Sequence, residues 1–472
     1  MTSPDLGVPV DVELGEKAPG GGVWSRGRRR LTFGLVMTIT LVAFESLAIS
    51  TVMPVVADDL GGLGLYGWVF SGFFLGSLLG IVLAGRAADR RGTGPPFAVA
   101  LVLVSGGLLA GGLAPSMAAL VAARVAQGLG AGAIPTIAYT TVGRAYPAGS
   151  RPRVFAVFSS AWVIPGVLGP AASSGLADVL GWRSVFLALL PLVLGAGAIT
   201  LPSLEWNGQR GEAPHRARTG WAFALVAGAA LVLMGLAGPP PVAAVALIGV
   251  GAPVGALAFV RLVPAGTLRL APGLPAAVLV RGMLTFAFFG TDVYVSLTLA
   301  EIRGQPTWVA GAALTAATLL WTAGAWVQQR VIHTVGPRRL VITGFLLVAA
   351  GIGGIHGALG PLPVPAAIAV WSLAGLGMGL AYSPLSVTVL GTAEPSDLGA
   401  ASASLQLSDI LGVSLGTGLG GALLTLGQAR ALSTAATLRL TFMASLVVAL
   451  LGAAAARRLP PRLRHVGHGP AR

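Results

Sequence analysis

Five ionisable side chains lie inside stretches otherwise built from aliphatic and small residues: Glu45, Arg124, Arg281, Asp292 and Asp409. If those stretches cross a membrane, each charge costs roughly 2.5–3.5 kcal/mol at a helix centre even on the lenient insertion scale, so each needs a partner or a water-filled cavity. Glu45 sits midway along the apolar run 31–56 and Arg124 near the start of the run 117–143. At about 1.5 Å per helical residue their depths differ by roughly 6 Å, within reach of an extended arginine. Burial favours the neutral carboxyl and a neighbouring guanidinium the charged one. A carboxyl held between the two is suited to reversible proton binding. Arg281 and Asp292 stand eleven residues apart, about 20° beyond three full turns, and so share a helix face about 16 Å apart along the axis. Asp409 shares its face with Gln406 one turn earlier. The bland alternative for each charge is a buried ion pair that only fixes helix packing.

The elements that must hold these groups are long apolar helices. Of the 472 residues 55% are hydrophobic and 10% charged, and mean hydropathy is +0.83. That composition belongs to a polytopic membrane protein. A crossing helix needs about 20 apolar residues. Fourteen runs qualify: 31–56, 66–85, 96–114, 117–143, 153–177, 184–202, 219–237, 242–260, 274–300, 307–329, 339–358, 364–391, 399–427 and 433–456. The seventh and eighth are joined by the tight turn Gly238-Pro239-Pro240-Pro241 and stand or fall as a pair. With the N-terminus inside, the outer loops and span ends carry only Arg183, Arg303, Arg430 and Arg439. Arg124 and Arg281 fall in spans, and every other basic residue is on the inner side. Positive residues concentrate on the cytoplasmic side, so both termini are expected there. The net charge of +14 is then topological and does not mark a nucleic-acid partner.

Several chemistries are excluded. There is no cysteine, hence no disulfide or thiolate site, and the five histidines show no zinc-site spacing. Lys17 is the single lysine and is not in a Gly-Lys-Ser/Thr loop, so ATP bound to this chain cannot drive it. No cofactor or metal is expected. Gly412-Val-Ser414-Leu-Gly416 matches a nucleophile elbow, and Gly416, Gly418 and Gly421 match a dinucleotide fingerprint. Both lie inside one apolar run without the strand-turn-helix context that either chemistry needs. Gly412, Gly416 and Gly420 read better as a small-residue face for close packing in lipid, as do Gly128/Gly132 and Gly375/Gly379. An enzyme is therefore not expected.

The segment GRAADRRGTGPPF, residues 85–97, concentrates charge between two spans. It resembles the signature loop of the major facilitator superfamily, G-x-x-x-D-R-x-G, matched by Gly85, Asp89, Arg90 and Gly92; Thr93 and Gly94 stand where that family usually has basic residues. Arg124 with Gln127, Gly128, Gly130 and Gly132 resembles the family's fourth-span motif. Gly169-Pro170 resembles the core of the fifth-span antiporter motif, with Pro165 and Ser173-Ser174 replacing its outer glycines. Gly181-Trp182-Arg183 and FESLAISTVMP, residues 44–54, resemble the drug-antiporter branch. Aligning Gly336 with Gly92 gives a faint second copy, with His333 at Asp89. The resemblance implies an all-α major-facilitator fold of two six-helix halves plus an inserted pair, fourteen transmembrane helices in all.

Its segments would be a cytoplasmic tail 1–30, a first half 31–202, a linker 203–218, the inserted pair 219–262, a second half 274–456 and a tail 457–472. It further implies a monomeric, proton-driven exporter of lipophilic or amphipathic compounds in a bacterial inner membrane. Its partners would be a small-molecule substrate, protons and the bilayer. Glu45, Arg124, Asp292 and Asp409 are the expected proton-coupling groups. Gln127, Trp162, Tyr294, Tyr382 and Gln406 are the expected cavity lining, and the loop residues would hold the inner side shut. An exporter of a lipid or metabolite, or a proton symporter on the same fold, is the alternative.

Overall fold

The computed structural model describes residues 28–146, 154, 157–158, 161, 163–206, 216–237, 240–392 and 398–462. Among them there is no strand. The helices are α1 (Arg29–Leu60), α2 (Tyr66–Arg91), α3 (Gly94–Gly112), α4 (Met117–Ala145), α5 (Val163–Leu180), α6 (Arg183–Thr200) and α7 (Arg216–Leu236). They continue as α8 (Pro241–Leu262), α9 (Leu274–Leu297), α10 (Thr307–Val335), α11 (Pro337–Ala358), α12 (Val364–Thr392), α13 (Leu398–Ala429) and α14 (Thr434–Ala455). Thirteen are long and apolar enough to cross a membrane. The exception is α5, because most of 153–162 lies outside the described residues.

Local sequence explains the helix ends. Proline occupies the first turn of α3, α8, α9 and α11, where a missing N–H costs little. Ser116 and Ser433 accept hydrogen bonds from Ala119 N and Ala436 N and cap α4 and α14. The charged segment after Gly85 departs from the expected loop: α2 stays helical through Arg91 and stops at Gly92. Once the helix leaves hydrocarbon, arginines in its last turn suit the helix dipole.

The two halves repeat one packing scheme. In the first half α2 and α3 pack on α4, α1 packs on α5 and α6, and α3 packs on α6. In the second, α10 and α11 pack on α12, α9 on α13 and α14, and α11 on α14. The register is visible atom by atom. A Cβ on Gly128 or Gly132 would strike the carbonyl oxygens of Phe73 and Ser77, and one on Gly375 or Gly379 would strike those of Ala317 and Trp321. Gly92 and Gly336 end α2 and α10 with φ of +78° and +83°, a region that disfavours side chains. Their N–H groups cap Ala88 O and Ile332 O. Even the exits match. After α6, Glu205 O accepts from Gly94 N (2.7 Å) and Trp206 lies against Gly94. After α14, Leu459 O accepts from Arg338 Nε (2.7 Å) and Pro461 presses on Gly336.

The halves meet along two seams, α2 with α13 and α5 with α10. Hydrogen bonds across the first lie towards the end away from the arginine-rich loops. Ser71 Oγ donates to Ser414 O (2.9 Å), Thr425 Oγ1 of α13 to Gly64 O just before α2 (2.6 Å), and beside them Tyr66 OH of α2 donates to Val293 O of α9 (3.0 Å). There a Cβ on Gly67 would lie 2.5 Å from Gly421 Cα, so the backbones nearly touch. The hairpin α7–α8 lies beside this seam, with α7 contacting both α2 and α13.

Candidate functional site

The in-span charges are sorted into pairs by the helices that carry them. α1 presents Glu45 and α4 presents Arg124, both almost fully enclosed. Arg124 Nη1 donates to Glu45 Oε1 and to Gln127 Oε1 (2.8 Å), and Nε donates to Val69 O on α2 (3.3 Å). The guanidinium also lies 4.1 Å from the centroid of the Phe73 ring. Every face of the cation thus meets a carboxylate, an amide, a carbonyl or an aromatic ring, which is what burial of arginine requires. Gln127 is completely buried, and its Nε2 has no partner among the described residues. It holds the arginine and does not line open space, unlike the expectation from sequence.

A second pair joins α9 to α13. Arg281 Nε donates to Asp409 Oδ1 (2.8 Å) and Nη1 to Tyr382 O on α12 (2.7 Å). Tyr382 OH donates to Asp409 Oδ2 (2.9 Å). The Asp409 side chain keeps 19% exposure against 4% for Arg281, so this pair has a wetter side. The two charges that share one face of α9 are therefore not partners: Arg281 turns to Asp409.

Asp292 has no ion-pair partner among the described residues and is 7% exposed. The polar group beside it is the Trp371 indole N–H on α12. That N–H does not close a well-formed hydrogen bond, so it lies near the carboxyl without saturating it. Phe288 stacks on Trp371 at 5.2 Å, and Trp321 continues the aromatic wall to Tyr382. The repeat gives this arrangement its meaning. Trp371 stands four residues before Gly375, as Arg124 stands four before Gly128. α4 therefore offers a guanidinium to Glu45 of α1, and α12 offers a neutral indole to Asp292 of α9. Trp371 was not singled out from sequence; extending the Gly92–Gly336 alignment to the paired glycines would have found it.

The remaining candidates divide. Tyr294 is fully buried in the seam between halves, its OH donating to Thr417 O (2.5 Å). It therefore does not line open space either. Tyr382 and Gln406 are half-buried. Trp162 and the Asp89 side chain lie outside the described residues. Arg90 is exposed. A Cβ on Gly85 would be 3.7 Å from Thr136 Cγ2, an ordinary contact, so close helix approach does not require that glycine. Gly76, whose Cβ would lie 2.5 Å from Val125 O, is a true close approach. Thr93 and Gly94 are occupied otherwise than by basic side chains: Thr93 Oγ1 accepts from Glu205 N (3.3 Å), and Trp206 leaves no room at Gly94. Gly169 is buried beside Pro170 within α5. Pro170 O faces Gly311 of α10, whose Cβ would lie 3.0 Å away. The Gly-Pro element therefore borders the second seam. Trp182 Nε1 and Arg183 Nη1 both donate to Asp59 Oδ2, at 3.0 and 2.7 Å, and fasten α6 to α1. Among the described residues no three His, Asp or Glu side chains converge to hold a metal.

Comparison with known proteins agrees with this architecture. The family model described as Major Facilitator Superfamily matches residues 34–332. The multidrug transporter protein MdtP of Bacillus subtilis is 23% identical, over 84% of this chain and 75% of its own length. The multidrug resistance protein B homolog of Mycobacterium tuberculosis is 26% identical over 84% and 77%. The tetracenomycin C resistance and export protein of Streptomyces glaucescens is 27% identical over 84% and 76%. Among solved structures, a peptide transporter POT superposes with a TM-score of 0.66 at 18% identity, covering 90% of this chain and 94% of its own. A bacterial homolog of the human lysosomal transporter Spinster gives 0.65 at 16%, covering 92% and 98%. At such identities the structural likeness is one of fold.

Proposed function

The chain belongs to the major facilitator superfamily, a family of membrane transporters and not enzymes, and from that premise we propose that it exports lipophilic or amphipathic small molecules in exchange for protons. The three relatives named above are transport or resistance proteins, which supports export. The arginine-rich loop ends belong in the cytoplasm by the positive-inside rule, with both termini there and the chain in a bacterial inner membrane. The six-helix halves rock about their seams as a monomer, α7–α8 being an insertion between them.

One observation carries the proton assignment: among the described residues Asp292 is the buried carboxyl without a cation, at the place where its counterpart Glu45 has Arg124. Proton uptake at a lone buried carboxyl removes an uncompensated charge, whereas uptake at Glu45 or Asp409 must first break an ion pair. Asp292 is therefore the group that loads and unloads the proton. Glu45–Arg124 and Arg281–Asp409 are the pairs whose rearrangement follows. One charge moving down the membrane potential gains about 2.3 kcal/mol per 100 mV, an accumulation of about fifty-fold.

The test is dye accumulation in inverted vesicles under an imposed pH gradient, acid inside. Asp292→Asn should bind the dye with near-normal affinity but no longer respond to the gradient. Gradient-driven accumulation persisting in Asp292→Asn would move the proton site elsewhere.

A further inference from the structure

Serine and threonine hydroxyls inside a helix commonly satisfy themselves on the carbonyl one turn earlier. α9 follows that rule at Thr285 and Thr291, which donate to Arg281 O (3.2 Å) and Ala287 O (3.1 Å). Thr298, just beyond the helix, donates in the same way to Tyr294 O (2.8 Å). Ser296 breaks the rule. Its Oγ is buried and has no hydrogen-bond partner among the described residues, although the carbonyl one turn earlier, that of Asp292, is there to take it. A buried hydroxyl without a bond is a cost to the fold, so a use for the free group is to be sought.

Ser296 stands between Asp292 and the outer water. Asp292, Ser296 and Ala300 follow at four-residue steps, about 6 Å apart along the axis. Helical side chains lean towards the N-terminal end, so that of Ser296 leans inward over Asp292. One turn further out, Leu297 and Ala300 form part of the wall of a cavity of about 390 Å³, completed by Pro54 and Asp58 of α1 with Glu301 and Thr307. Pro54 and Leu297 are buried, whereas Asp58 and Glu301 are exposed, so the cavity runs inward from the outer surface. A water occupies about 30 Å³, which leaves room for several. Where the cavity meets α9 the chain widens into a π-helical turn, Thr298–Ile302, a distortion frequent at functional sites.

The two carboxylates at the mouth are available. Neither Asp58 nor Glu301 forms an ion pair among the described residues; Glu301 Oε1 accepts a hydrogen bond from Thr434 Oγ1 (3.0 Å). Adjacent Asp59 is taken by Trp182 and Arg183, and Arg303 is turned to Ala358 O and Gly360 O. Further in, the Trp371 indole N–H is the polar group beside Asp292, while Glu45 and Asp409 on neighbouring helices are held by Arg124 and Arg281.

We propose that Ser296 is the proton relay between Asp292 and the outer cavity, with Asp58 and Glu301 gathering protons at its mouth. A proton from cavity water bonds to Oγ as the proton that Oγ already carries passes to the Asp292 carboxylate. Ser296 ends as the same neutral hydroxyl, and the net change is one proton added to Asp292.

The test compares proton-driven with proton-independent transport in inverted vesicles, acid inside. Ser296→Ala breaks no bond to the protein and should fold as the parent. Its initial rate of gradient-driven dye accumulation should fall at least about tenfold, short of the roughly 100-fold or more that a positioned proton donor contributes, because water partly replaces it. Dye-for-dye exchange without a gradient should keep the parental rate. Driven accumulation at the parental rate, or equal losses in the two assays, would overturn the relay. Asp58→Asn with Glu301→Gln should slow driven accumulation about threefold in low salt and not at all in high salt, as for an attraction between exposed charges. A parental rate in low salt would remove these carboxylates from the path. The relay presupposes Asp292 as the proton site, and Asp292→Asn reports on that separately. Coupling that survives in Asp292→Asn refutes the proton site; coupling lost there with Ser296→Ala unaffected refutes the relay alone.

Discussion

Replacing Arg124 by methionine should destabilise the protein far more than replacing Arg124 and Glu45 together. The side chains of this pair are 2% and 4% exposed, so water cannot compensate either charge. At a separation of about 4 Å and an effective dielectric of about 20, the attraction lost is about 4 kcal/mol. Removal of one partner of a buried pair costs about 3–5 kcal/mol in measured cases, for the same reason. Methionine retains much of the packing on Phe73, and the lost bonds to Gln127 Oε1 and Val69 O add to the cost. In Glu45→Gln with Arg124→Met no buried charge remains at this site, and the double variant should recover at least about half of the loss. Because a neutral carboxyl is cheaper to bury than a charged one, the Arg124→Met defect should also shrink as pH falls. The assay is a double-mutant cycle on purified protein, read by denaturant titration of tryptophan fluorescence at several pH values. Additive losses, with no recovery in the double variant, would refute the claim that the two groups hold each other in the membrane.

Two further outcomes follow from the repeated packing. Gly128→Val and Gly375→Val place methyl groups against the Phe73 and Ala317 carbonyls. Each should cost at least about 3 kcal/mol through overpacking, read as loss of monodisperse protein on size exclusion, whereas Gly106→Val, with open space around it, should behave as the parent. Gly94→Arg restores a basic residue to the signature loop, but a Cβ there lies 2.9 Å from the Trp206 ring. It should therefore increase protease cutting after α6 by about tenfold through loss of the clamp, and Trp206→Ala in the same chain should relieve the clash.

The helices were legible because hydrocarbon thickness is a hard ruler. The runs beginning at residues 66, 117, 274, 307 and 364 start where α2, α4, α9, α10 and α12 start. The ruler fails at Gly85, since helicity continues past the apolar run as far as Gly92. Partnership across helices was less legible, because depth and helix face on one segment say nothing of rotation relative to the next. Glu45 and Arg124 lie close in depth and do meet. Arg281 and Asp292 share a face but look to different helices, one to Asp409 and the other towards Trp371. Gln127 and Tyr294 carry polar atoms that suit a cavity, but both are spent on internal bonds, to Arg124 and to Thr417. An amide or phenol in an apolar run declares that it needs a partner without declaring whether that partner is protein, solvent or ligand.

The clamp formed by Glu205 and Trp206 on the α2–α3 turn has a consequence for biogenesis. It is built wholly from residues up to position 206, so the first six helices carry their own fastening. As the ribosome delivers the chain in order, that half can lock its turn while the second half is still being made. The seam glycines, Gly67 among them, then wait as an exposed template until Gly421 of α13 arrives more than two hundred residues after the clamp. The long interval is the period in which a partly made chain is most open to degradation. α7, which packs on α2 and is synthesised immediately after the clamp, is the segment in position to shield that template during the wait.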